Sequence, residues 1–196
     1  MEKKRGPKYH QIIDAAVKVI AMNGYHQAQV SKIAREAGVA DGTIYLYFRN
    51  KEDILISLFQ EKIGQAIAKT KTKLEVVSSF EEKLFWLIHM HFTWLDSDRH
   101  LAIVTQLELR QSNAKLRFRI NAVLKEYLDL IDSVIGVGRE EGYFQTDLEQ
   151  RLARQMIFGT LDEVTTSWVM KNCKYDLLSL TQPVLDLLLK GLCNKK

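Results

Sequence analysis

The chain has 196 residues, 46% of them hydrophobic and only two of them proline, which suits one or two domains with a sizeable core. Its formal charge is +4, and the first 50 residues hold eight basic against four acidic side chains, so the remaining 146 are formally neutral. No apolar run reaches the roughly 18 residues that span a bilayer, the charged start lacks the apolar stretch of a secretion signal, and Cys173 and Cys193 are too few for a disulfide framework, so a cytoplasmic protein with free thiols is expected.

Met1 to Lys8 reads as a basic arm carrying Lys3, Lys4, Arg5 and Lys8. Tyr9 to Asn23 is predicted as an amphipathic helix whose buried stripe is Ile12, Ile13, Ala16, Val17 and Ile20, with Gly24 at its end. A short helix follows, with Val30, Ile33, Ala34 and Ala37 on one face, and Gly38 stands where a left-handed residue commonly ends a helix. Asp41 is placed to cap a second short helix, Gly42 to Phe48. TIYLYF in that segment is β-branched and aromatic, yet it lacks apolar/polar alternation, so helix is expected there. Ile44, Tyr47 and Phe48 then face inward, and Thr43, Tyr45 and Leu46 outward. Two short helices around a glycine turn form a helix-turn-helix, whose second helix enters the major groove.

The body continues in helical period. Lys51 to about Leu74 carries Ile54, Leu55, Leu58, Phe59, Ile63 and Ile67 at helical spacing. Ser79 and Glu82 have the form of a capping box, opening a helix to about Leu95 whose buried side holds Leu84, Leu87, Ile88, His91, Phe92 and Leu95. His100 to Gln111 and Asn113 to about Glu141 follow, the latter ended by Gly142. Asp147 is expected to cap Leu148 to about Lys171, and Asp176 to cap Leu177 to about Leu192. Nine helices and no strand make the chain all-α.

The final helix is apolar on most of its surface, which exceeds what one packed face needs. Pairing of this helix and of Leu152 to Trp168 with their copies across a two-fold axis is expected, giving a homodimer; a fully buried terminal helix is the plainer reading. Enzyme chemistry finds little support. His89 and His91 point roughly 200° apart on a helix and cannot share a metal. His10, His26 and His100 lack ligand-spaced neighbours, and no phosphate loop, nucleophile elbow or paired-cysteine motif occurs. A helical adaptor that binds only protein is the other alternative.

Asn23-Gly24-Tyr25, Ile33 to Val39, Gly42 to Tyr45, Tyr47-Phe48 and Asn50 to Leu55 together resemble the N-terminal domain of TetR-type transcriptional repressors. The resemblance implies a three-helix DNA-binding head, residues 1–50, and a ligand-binding and dimerisation body, residues 51–196. Its partner is then palindromic double-stranded operator DNA. By its chemistry Ser31 suits a phosphate at a helix N-terminus. Ala40, Asp41, Gly42 and Thr43 begin the recognition helix by resemblance. Leu46 suits a thymine methyl, and Tyr45 and Tyr47 can donate hydroxyls to phosphate, although Tyr47 reads equally as core. Lys51 adds a cation at the start of the next helix. Gln29 and Val30 stand where many relatives carry Ser or Thr, and Asp41 where some carry lysine, which favours its role as a cap.

Leu101 to Asn113, Arg151 to Thr160 and Gln11 to Ala21 are similar to the fatty-acid-degradation repressors of bacilli within that family. This implies a repressor of β-oxidation genes that leaves DNA when long-chain acyl-CoA binds, with no resident cofactor or metal. A TetR-type repressor sensing another large apolar ligand is the alternative. Arg110 is then a candidate for CoA phosphate or for support of the pocket. Phe92, Leu107, Leu109 and Phe158 are candidates for chain contact or for core.

Overall fold

The computed structural model describes residues 6–144 and 148–193, and among them the chain forms nine α-helices and no strand. The helices are α1 Pro7–Gln27, α2 Val30–Glu36, α3 Asp41–Tyr47, α4 Lys51–Glu75, α5 Phe80–Asp96, α6 Arg99–Glu108, α7 Ala114–Glu140, α8 Gln150–Met170 and α9 Thr181–Leu192. A 3-10 turn, Leu178–Leu180, precedes α9, and an isolated bridge pairs Phe144 with Cys193. No described helix is long and apolar enough to cross a membrane. The chain divides into two compact units. One runs to Lys62 and includes His100–Val123; the other comprises Ile63–Arg99 and the chain from Leu124 onward. Helices α4 and α7 contribute residues to both.

In the first unit the α1 stripe predicted from the sequence is buried to the last residue, joined by Tyr9, Ala15, Val19 and Tyr25. Helix α2 lies on α1, and α3 on α2. Ile33, Ile44, Phe48, Ile54, Leu55, Leu58 and Phe59 complete this core. Burying a large apolar side chain contributes roughly 1.5–3 kcal/mol each, so the two seven-residue helices, too short to persist alone, are held by tertiary packing. The β-branched stretch in α3 is helical for that reason. Lys62 reaches Asp14 at 2.6 Å, tying α4 to α1.

In the second unit α5 turns its predicted face onto α8, α9 and the 3-10 turn. The Ser79 hydroxyl accepts from the Glu82 amide at 3.3 Å and the Glu82 carboxylate from the Ser79 amide at 3.4 Å, completing the expected capping box. Trp168 is fully buried, and its indole N–H donates to the Tyr175 carbonyl at 2.8 Å.

Helix ends differ from the sequence reading in physically clear ways. Helix α1 starts at Pro7, whose fixed φ suits a first helical position, and continues past Gly24 as one further turn beyond a break at φ 72°, ψ 154°. Helix α6 stops at Glu108 rather than Gln111, because the Gln111 side chain donates to the Glu108 carbonyl at 3.2 Å in place of a continuing backbone amide. Asn113 caps α7 through the Leu116 amide at 3.0 Å, and Gly142 ends it at φ 73°.

Helix α8 begins at Gln150 behind Glu149, which makes no side-chain cap; the expected cap Asp147 lies outside the described residues, as do Lys3, Lys4 and Arg5. Asp176 caps the 3-10 turn through the Leu178 amide at 3.0 Å, and α9 starts only at Thr181. Pro183 has no N–H for the carbonyl four residues back, so a continuous helix from Leu177 would lose that bond.

Candidate nucleic-acid interface and effector site

The turn between α2 and α3 follows from one residue. Gly38 takes φ 65°; its amide bonds the Arg35 carbonyl at 3.1 Å, and the Val39 amide the Ala34 carbonyl at 3.0 Å. These two bonds are a Schellman closure, which needs a left-handed residue at this point. The chain then re-enters helix at Asp41. Asp41 does not cap α3: Ala40 occupies the N-cap without a side-chain bond, and Asp41 is the first helical residue. The turn closes through backbone alone, the Thr43 amide bonding the Ala40 carbonyl at 2.8 Å, so Asp41 keeps only its favourable place at the positive end of the helix.

Helix α3 is anchored from beneath by Ile44 and Phe48, and Phe48 stacks on Tyr9 with ring centroids 5.2 Å apart. Its outer face is therefore fixed. Leu46 is 81% exposed and Tyr45 59% exposed, while Ala40, Asp41 and Gly42 are exposed and Thr43 half-buried. Tyr47 is half-buried, between the outward and inward expectations. Ser31 is exposed in the first turn of α2, and Lys8, Arg35 and Arg49 are exposed too. Lys18 is paired with Glu36 at 3.1 Å and Lys32 donates to the Asn23 side chain at 3.1 Å, so part of the basic excess holds the head together.

Lys51 has a further role that the sequence did not disclose. Its ammonium donates to the carbonyls of Tyr25 and His26 at 3.0 and 2.9 Å and lies 4.7 Å above the Tyr25 ring. It thereby closes the turn after Gly24. Around the same ring stand Glu52, Glu108 and Arg119; burial and the two carboxylates push the Tyr25 phenol up to about 12. The Glu108 carboxylate accepts from the Tyr25 amide at 2.8 Å and from Gln111 at 2.6 Å. Asp53, 8% exposed, accepts from the Arg49 amide at 3.1 Å and faces Arg119 at 3.5 Å. So the end of α1, the start of α4, the end of α6 and the start of α7 meet through charged and backbone groups. Sequence reasoning missed Glu108 and Asp53. For Asp53 a signal existed, since Asn50 caps α4 through the Asp53 amide at 2.8 Å in a capping-box spacing. For Glu108 there was none.

The five expected ligand residues fall in both units. Leu107, Leu109 and Arg110 belong to the first: Leu107 is 51% exposed, Leu109 half-buried and Arg110 exposed, with its guanidinium 3.4 Å from the Gln106 carbonyl. Phe92 and Phe158 belong to the second, where Phe92 is fully buried and Phe158 half-buried. The structure gathers those two around a buried polar pair. His91 Nδ1 and the Tyr127 hydroxyl are 2.8 Å apart, Phe92 adjoins His91 with ring centroids 6.0 Å apart, and Phe158 adjoins Tyr127 at 6.3 Å. Burial lowers the His91 pKa to about 4 and raises that of Tyr127. Among the described residues no group of three or more His, Cys, Asp or Glu is arranged to hold a metal.

Residues 12–58 match the model for bacterial regulatory proteins of the tetR family, and residues 59–191 the model for the C-terminal region of YsiA-like proteins. The fatty acid metabolism regulator protein of Bacillus subtilis (strain 168) is 58% identical over 193 residues, spanning 98% of this chain and 100% of that protein. The solved structure of the fatty acid degradation regulator FadR from Bacillus halodurans is 65% identical with a TM-score of 0.91, covering 94% of this chain and 99% of that one. That of FadR from Bacillus subtilis, in complex with stearoyl-CoA, is 59% identical, also with a TM-score of 0.91 and the same coverage.

Proposed function

The chain belongs to the TetR family of bacterial regulatory proteins, and on that premise we propose that it is a dimeric repressor of fatty-acid-degradation genes, released from operator DNA by long-chain acyl-CoA. As a transcriptional regulator it is not an enzyme, and no resident cofactor is assigned. The observation that supports the effector most is the stearoyl-CoA bound to a FadR protein 59% identical over nearly the full length.

Residues 1–50 carry the reading helices and 51–196 the sensing and pairing elements, with residues 51–62 and 100–123 folded in the same compact unit as the head. Ser31, Tyr45, Tyr47 and Lys51 are assigned to the DNA backbone, with Ala40, Asp41, Gly42 and Thr43 at the groove and Leu46 against a thymine methyl. An 81% exposed leucine on a helix anchored from below gains nothing from its own fold, which supports a contact role. Within the second unit, Phe92 and Phe158 are assigned to the acyl chain.

Pairing of α8 and α9 with their copies supplies the symmetry. Leu152, Met156 and Leu187 are 49%, 44% and 67% exposed on these two helices, an apolar surface that a two-fold partner would cover. Two heads then meet half-sites about 34–36 Å apart on a palindrome, inside the cytoplasm. Release is linkage: acyl-CoA prefers a state whose heads do not match the operator, and α4 and α7, shared by both units, carry the change.

The test is fluorescence anisotropy on a palindrome upstream of β-oxidation genes, with lauroyl- to stearoyl-CoA, free fatty acid and CoA added in turn. Release by the long-chain thioesters alone is expected. Tight operator binding that no acyl-CoA alters would leave a repressor with a different apolar effector.

A further inference from the structure

The buried pair in the second unit has an unanswered half. His91 Nδ1 is engaged by Tyr127, but His91 Nε2 is fully buried with no hydrogen-bond partner. The chemistry of the pair decides what that nitrogen offers. With the Tyr127 hydroxyl as donor, Nδ1 accepts and the neutral ring carries its proton on Nε2. The phenol is the better donor and the imidazole nitrogen the better acceptor, so the reverse arrangement, which strands the phenol proton and the Nε2 lone pair, is the weaker one. Nε2 is therefore a buried N–H with nothing to give it to. In a plain core such a group is a liability, and an apolar residue of the same shape would serve better. Its neighbours are apolar faces: Phe92 adjoins His91, Trp94 stands edge-on at 6.3 Å, and Phe158 flanks Tyr127. Trp94 and Phe158 are only half-buried, so the pair lies one aromatic ring from the outside of its unit rather than sealed in its centre.

We propose that His91 Nε2 donates to the thioester carbonyl oxygen of the bound acyl-CoA, which makes His91 a ligand-reading residue and Tyr127 the residue that fixes its tautomer. The inference rests on the acyl-CoA reading above. A site that offers one donor among aromatic rings suits a group that only accepts. The thioester carbonyl is such a group, whereas each pantetheine amide also brings an N–H that these rings cannot satisfy. Because burial keeps the ring uncharged at neutral pH, the donor is neutral and matches a neutral oxygen without the cost of a buried charge.

The test compares stearoyl-CoA with S-octadecyl-CoA, the thioether that keeps chain and nucleotide and replaces the carbonyl by CH2. Calorimetric titration of the full-length protein is expected to favour the thioester by about tenfold in the wild type, the order of one hydrogen bond. In His91→Phe that preference falls to within threefold. Should His91→Phe fold poorly, because it strands the Tyr127 hydroxyl, the double variant His91→Phe with Tyr127→Phe removes both polar groups and carries the same expectation. A wild type that binds both ligands equally, or a variant that keeps the full preference, overturns the proposal and leaves the acyl-CoA reading intact. A wild type that binds neither ligand overturns both.

Discussion

Glu108 Oε1 accepts a 2.8 Å hydrogen bond from the backbone amide of Tyr25, 83 positions earlier in the chain. The amide belongs to the turn that Gly24 opens, so the last residue of α6 holds the break in α1. Loss of a charged acceptor costs about 1.5–3 kcal/mol where the donor is left unmatched. Glu108→Ala is expected to lower the melting temperature and to reduce by at least fivefold the change in operator affinity that acyl-CoA causes. Glu108→Gln keeps an acceptor oxygen and should retain most of both. Melting curves and operator titrations of the two variants, side by side, check this.

Gly24 itself is more constrained than Gly38. At φ 72° and ψ 154° it occupies a region essentially closed to side chains, while Gly38 ends a helix in a closure that asparagine also enters. Space is not the issue, for a Cβ at Gly24 would meet Glu108 Oε1 at an ordinary 3.8 Å. Gly24→Ala should cost about 1–3 kcal/mol by urea unfolding, and Gly38→Asn clearly less.

The two faces of α3 separate stability from recognition. Leu46→Ala should leave stability within about 0.5 kcal/mol and weaken operator binding by about 1.5–3 kcal/mol, the burial of one leucine side chain. Ile44→Ala, at a wholly buried site, should instead cost about 2–5 kcal/mol of stability. Equal losses of operator affinity at matched folded fraction would show that Leu46 reads no base.

His91 gives a pH signature. Its folded pKa, about 4, lies below the unfolded 6.5, so the unfolded chain binds the proton first as pH falls. The contribution is complete above about pH 6.5 and is lost progressively towards pH 4. From about pH 8 down to about pH 5 the loss is about 2 kcal/mol, and it should be missing in His91→Phe measured by urea unfolding across the same range.

These sites were legible to different degrees, for physical reasons. The head was readable because its signals are local: Gly38 is the residue a left-handed helix end requires, and the apolar residues of α1 and α4 repeat with the helical period. Ser79 with Glu82 is likewise decided within one turn. What was not legible depends on contacts distant in sequence. Nothing near Glu108 points to Tyr25, and His91 looked like one more member of a buried helix face until Tyr127, 36 positions on, was seen beside it. Asp41 was misread because a backbone bond closes its turn and leaves the side chain no cap to make. The start of α9 was misplaced because one missing N–H, at Pro183, outweighs an apolar pattern.

If operator and acyl-CoA oppose each other through one protein, linkage makes the opposition measurable from the ligand side, the direction least open to artefact. The measurement is the stearoyl-CoA dissociation constant of the full-length protein with and without saturating operator. Operator is expected to weaken stearoyl-CoA by the same factor, at least about fivefold, by which stearoyl-CoA weakens operator. An unchanged stearoyl-CoA affinity on fully operator-bound protein would contradict it.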